Sequence, residues 1–215
     1  MSFTETPLYG GAITVDLPSN FADTRFVLRF PLASFQVPST SRTSATRQLI
    51  WQQHSQIREV PDHQEVYLDT NGYSSIVFEI LEYQEKGSDE AALQYHFADL
   101  IDEEDSTNVL EQGHAAMAKL NNKPVYTLRF IQTPPPNANP NRKVPEFVYI
   151  HLMLLRLKEQ GTDLMISVNI PHYPGEYEKP KEGEGEVTQL MKDSEKIKDR
   201  ILESFEIKEW GLFEG

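Results

Sequence analysis

The stretch "FVYIHLMLLRL", residues 147–157, followed across "KEQG" by "TDLMISVNI", constrains the fold of this chain more than any other feature. The first segment is apolar at almost every position. It is too short and too polar to span a bilayer, so it reads as a strand covered on both faces. The "QGT" between the segments is a turn signal, and two strands joined by a short turn pair antiparallel. A central sheet that is apolar on both faces needs a layer against each of them.

The remaining pattern supplies those layers. "YGGAITVDLP" reads as a glycine turn feeding a short strand that ends at proline. "EVYLD" and "SSIVFEILEY" flank the turn signal "TNG" and form a hairpin, with Ile76, Phe78 and Ile80 on one face. The alternation places Val66 and Leu68 together, with Val66 as the core anchor. "SDEAALQYHFADLI" changes to helical period, with Ser88 as N-cap, acids in the first turn, and Leu93, Phe97, Leu100 and Ile101 as the apolar face. "KPVYTLRFIQT" is a strand ended by a stiff proline-rich loop. "EVTQLMKDSEKIKDRILESFEI" is an amphipathic helix that lays Val187, Leu190, Met191, Ser194, Ile197, Ile201 and Phe205 on a sheet. The fold class expected is therefore α/β of the α+β kind: one domain over 1–215, without repeats, with a mainly antiparallel sheet.

Charge and composition narrow the function classes. The net charge is −13, which opposes nucleic-acid binding and suits a basic protein surface. There is no cysteine, so disulfides and thiol catalysis are excluded. "MSFTETPLYGG" has neither the basic start nor the apolar core of a signal peptide, and a soluble intracellular protein is expected. One segment departs from the acidic background: residues 24–58 hold five arginines and no acid, and include the low-complexity "PSTSRTSATR".

No catalytic set is complete. The chain has no phosphate-binding glycine loop, no G-x-S-x-G elbow and no H-E-x-x-H. His96 and Asp99, one helical turn apart, could share a metal, but two ligands close no site, and a histidine packed on the sheet beside a solvated aspartate is the better reading. Glu79 and Glu82 fall on opposite faces of one strand and cannot act as an acid–base pair. His151 reads as a satisfied core histidine. His63 has Asp62 and Glu65 nearby, without a neighbouring nucleophile.

"LYGGAITVDLP", the Phe21-x-Asp23 turn and "REVPDHQEVYLD" (58–69) together resemble the Mog-type family of Ran guanine nucleotide release factors. "SSIVFEILE", "YHFADL", "LLRLKEQGTDLMISVNIP" and the closing "GLF" extend the likeness over nearly the whole chain outside 25–54. The family runs almost directly from the Phe-x-Asp turn into Arg-x-Val-Pro-Asp. Residues 25–54 therefore read as an insertion, either a loop of this lineage or retained intron sequence. The resemblance implies an α/β/α sandwich similar to the PsbP fold. It implies a protein that is not itself an enzyme, needs no cofactor or metal, and binds the small GTPase Ran to promote nucleotide release in support of nuclear import. Nuclear residence with a cytoplasmic pool, and a monomeric state without nucleic acid or membrane contact, follow as expectations. The partner-binding residues expected are Asp23, Arg58, Asp62, Gln64 and Glu65, on a strand entry whose acids face outward, with Pro61 fixing the turn and the loop at Asp102 to Asp105 as the fallback surface. Two alternatives stay open: an adaptor of the same fold without exchange activity, and a hydrolase using His63 with Asp62.

Overall fold

The computed structural model describes residues 1–24, 61–101, 105–135, 143–180 and 187–213. The whole of the proposed insertion, residues 25–54, lies outside the described residues, as does Arg58. Strands β8 (Phe147–Leu157) and β9 (Thr162–His172) form the expected antiparallel pair, in register from Phe147 opposite His172 to Leu157 opposite Thr162. The turn between them closes at Gly161, whose φ of 59° is left-handed and suits glycine. Nine consecutive residues of β8, Tyr149 to Leu157, are buried. They alternate between two cores: Met153, Leu155 and Leu157 point into one, and Ile150, Leu152 and Leu154 into the other.

Five further strands complete a seven-stranded antiparallel sheet: β3 (Phe21–Asp23), β4 (Gln64–Asp69), β5 (Ser75–Glu82), β6 (Ser106–Met117) and β7 (Lys123–Thr133), in the order β3-β4-β5-β9-β8-β7-β6. Helix α1 (Asp89–Leu100) covers one face through Ala92, Leu93 and Phe97. Helix α2 (Gln189–Ser204) covers the other, together with a small sheet of β1 (Phe3–Leu8), β2 (Ile13–Pro18) and β10 (Glu206–Ile207) in the order β1-β2-β10. The result is the mixed, mostly antiparallel α/β architecture with a layer on each side.

Local chemistry sets the ends of these elements. Ser88 caps α1 by accepting from the Ala91 amide, and Thr188 caps α2 by accepting from Met191. In the β4–β5 turn, a side chain at Gly72 would put its Cβ 2.6 Å from the Asp69 carboxylate, which itself accepts from Asn20 and from the Asn71 amide.

Several expectations are corrected. Val66 is not the core anchor of β4: Glu65 and Tyr67 are buried, and Val66 is half-buried. The hairpin register explains this, because Tyr67 lies opposite Ile76 and Glu65 opposite Phe78, and residues directly opposite share a face. Leu100 and Val187 are exposed, and Ala92 and His96 take the buried side of α1 in place of Leu100. Strand β6 was not anticipated. It is an edge strand with mostly exposed side chains, so it lacks the alternation that marks a half-buried strand.

Candidate functional site

The motif "REVPDHQEV" builds a turn and then a strand. The Gln64 amide donates to the Pro61 carbonyl at 2.9 Å, closing a turn that leaves Asp62 and His63 exposed. Entering β4, the chain places Gln64 opposite Glu79 of β5, and the Gln64 amide group donates to the Glu79 carboxylate at 2.5 Å. The His63 ring lies 3.6 Å from the same carboxylate. Asp62, His63, Gln64 and Glu79 thus form one polar patch. Beside it on that face lie Val66, Leu68 and Val77, half-buried and outside both core clusters.

Strand parity separates the expected contact residues. Gln64 faces this patch. Glu65 points the opposite way and is fully buried, which corrects the expectation that the acids of the motif all face outward. Its Oε1 accepts from the Tyr9 amide at 2.7 Å and its Oε2 from the Tyr67 hydroxyl at 3.1 Å. A buried carboxylate is stable when such donors replace its water. Asp23 stands opposite Tyr67 and so shares the face of Glu65, half-buried at the end of the short edge strand β3. Sequence reasoning placed Asp62 and Gln64 in the patch but missed Glu79, which only the cross-strand register brings beside them. Asp105 at the fallback loop accepts from Gln132 at 2.7 Å; residues 102–104 lie outside the described residues.

The polar groups that looked most like chemistry are structural ties. His96 reaches Asp163 at 2.8 Å, not Asp99, which is exposed. Asp163 is fully buried and also accepts from Arg156 at 3.0 Å and from the Gln84 amide at 3.0 Å. Burial opposes its charge, but those donors outweigh it and hold the carboxyl below its ordinary range. Arg156 continues to Asp89 at 2.6 Å, and Asp89 accepts from the Tyr126 hydroxyl at 2.6 Å. That hydrogen bond pushes the Tyr126 phenol up to about 12. The network bolts the start of α1 to the sheet.

His151, Ser194 and Glu195 could be mistaken for a hydrolytic triad. The histidine Nε2 is 2.9 Å from Ser194 Oγ and 3.9 Å from Glu195. Ser194 is fully buried, however, and its hydroxyl donates to the Met191 carbonyl at 2.7 Å. It therefore accepts from His151 and has no proton for the ring to take. Burial lowers His151 to about 4, so the ring is neutral at pH 7. Glu195 accepts from Arg129, Tyr149 and Lys198 instead. His172 is arranged in the opposite sense. Its Nδ1 donates to the Ile170 carbonyl at 2.9 Å, and its Nε2 accepts from the Thr188 hydroxyl at 2.8 Å. Two buried histidines thus hold α2, one at its cap and one in its middle. Among the described residues there is no group of three or more potential ligands for a metal ion, and no helix is long and apolar enough to cross a membrane.

Comparison with known proteins agrees with this architecture. A family profile described as Ran-interacting Mog1 protein matches residues 46–171. The probable Ran guanine nucleotide release factor of Dictyostelium discoideum is 25% identical over 226 residues, covering 99% of this chain and 97% of its own. The Ran guanine nucleotide release factor of Bos taurus is 28% identical over 170 residues, covering 78% and 75%. The nuclear import protein MOG1 of Saccharomyces cerevisiae is 28% identical over 182 residues, covering 80% and 67%. The crystal structure of the S. cerevisiae Ran-binding protein Mog1p superposes with a TM-score of 0.63 at 22% identity, over 99% of both chains, and so shares the fold. On the extent of the family match, the chain belongs to the Ran-interacting Mog1 family.

Proposed function

We propose that this protein binds a Ran-type small GTPase and promotes release of its guanine nucleotide, in support of nuclear protein import. The observation that carries the reading is the polar patch of exposed Asp62 and His63 with half-buried Gln64 and Glu79, at the less covered end of the sheet, in a chain of net charge −13 that belongs to this family. Asp62 and Gln64 are the proposed contacts; Asp23, on the neighbouring edge strand β3, and Arg58 of the same motif are proposed with them. Glu65 belongs to the same site from beneath. The protein acts as a regulator without bond-breaking chemistry of its own, in the nucleus with a cytoplasmic pool.

Release requires differential binding. The protein must hold the nucleotide-poor GTPase more tightly than the loaded one, and by linkage nucleotide weakens the complex by the same factor. Acidic side chains suit that task because they can compete with phosphate for a basic group. The test is binding to Ran loaded with GTP, loaded with GDP and stripped, together with release of a fluorescent nucleotide. Tighter capture of the stripped form and faster release support the proposal. Equal binding to all three forms without faster release would leave an adaptor.

A further inference from the structure

Tyr9, Gly10 and Gly11 have consecutive left-handed φ angles of 49°, 70° and 99°. The two glycines adopt this backbone freely, but Tyr9 does not, and a strained residue persists only where its surroundings hold it. The holding groups come from the acidic motif. Glu65 Oε1 takes the Tyr9 amide, and the Tyr9 hydroxyl lies 3.0 Å from the Phe78 carbonyl and 3.2 Å from the His63 carbonyl. The His63 carbonyl also accepts from the Ile80 amide at 2.9 Å. A circuit therefore runs from the buried Glu65 carboxylate, through the strained N-terminal turn, to the backbone of the turn that carries Asp62.

We propose that Tyr9 is a positioning residue for partner binding: held by Glu65, its hydroxyl fixes the Asp62–His63 turn in the orientation that the GTPase meets. This rests on the reading that Asp62 is a contact. It gives the N-terminal Tyr-Gly-Gly turn a part in recognition.

The test is a double-mutant cycle in Ran affinity on the full chain, using Tyr9→Phe, Glu65→Gln and Asp62→Ala. Tyr9→Phe removes one hydroxyl and no charge, so it carries the test if Glu65→Gln folds poorly. Tyr9→Phe is expected to weaken binding about fivefold, the scale of one lost hydrogen bond, and Glu65→Gln by at least as much. In the Asp62→Ala background both effects should shrink to less than about twofold, because residues acting through one contact are not additive. Tyr126→Phe, which loosens the distant α1 network, is expected to leave affinity within about twofold and so separates positioning from general stability. The proposal is overturned if Tyr9→Phe binds like wild type while Asp62→Ala is weakened, or if the effects multiply in full. If Asp62→Ala itself binds like wild type, the contact reading fails and this proposal with it.

Discussion

The two ends of the seven-stranded sheet are built differently. At the β7–β8–β9 end both faces are covered, and the polar side chains inside are tied to a helix: Asp163 and Arg156 to α1, His151 and His172 to α2. At the β3–β4–β5 end, one face packs on the small sheet while Val66, Leu68 and Val77 on the other remain half-buried beside exposed charges. The difference teaches where each kind of residue works. A titratable group at the covered end contributes to stability, whereas one on the uncovered face of the open end is available to a partner.

Substitutions can break that distinction, and the largest effect belongs to the covered end. Asp163→Ala leaves Arg156, 8% exposed, without its buried carboxylate partner. It is expected to cost about 3–5 kcal/mol, read as a fall in the denaturation midpoint. A loss below about 1 kcal/mol would mean that α1 does not depend on the network.

Acid titration sharpens the same point. His151 has a pKa of about 4 when folded, against about 6.5 unfolded. The unfolded chain therefore takes up the proton first. The stabilising contribution is complete above about pH 6.5, is lost as pH falls through the folded pKa, and amounts to about 3 kcal/mol. His172 is lowered in the same direction, first by burial. Urea midpoints between pH 7.5 and pH 4.5 should fall, and fall less steeply in His151→Gln. Parallel curves would show that the ring does not couple to folding.

At the open end, reversing the acids should separate the members of the motif. Glu65→Lys places an ammonium against the Tyr9 amide in a fully buried position and is expected to destabilise by about 3 kcal/mol. Asp62→Lys should stay within about 0.5 kcal/mol of wild type in stability. It should nevertheless slow Ran association, with a flatter dependence on salt. A folded Asp62→Lys protein that binds like wild type would move the contact surface away from this turn. The smallest effect is expected from deleting residues 25–54. Closing a longer loop costs only about 0.6 kcal/mol per doubling of length, so the melting temperature should hold or rise. A lost cooperative transition would place the segment in the core.

Much of the centre was legible in the sequence. The unbroken apolar run of β8, the turn before β9, the Ser88 cap and the spacing of α2 each state their structure locally. Other features depend on partners distant in the chain. Nothing within "HQEVYLD" says whether Glu65 or Val66 faces inward; the pairing of Glu65 with Phe78 and of Tyr67 with Ile76 decides it. Glu79 joins Asp62 and Gln64 only through that register. The Asp163–Arg156–Asp89 network assembles residues from β9, β8 and α1, and no short window displays it. Edge strand β6 was illegible because solvent imposes little pattern on exposed positions.

The pairing of β5 with β9 also orders events during synthesis. Residues 75–82 leave the ribosome long before their partners at 162–169, and β2 waits longer still for residues 206–207. Until then Ile76 and Phe78 lie on a hairpin with an unpaired edge, the kind of surface that invites wrong association. The high sequence separation makes folding slow relative to a helical chain of the same size. The acidic turn becomes a finished surface only after residues 162–169 have emerged to pair with β5. A nascent chain that stops before residue 162 therefore carries the β4–β5 hairpin without its neighbouring strand.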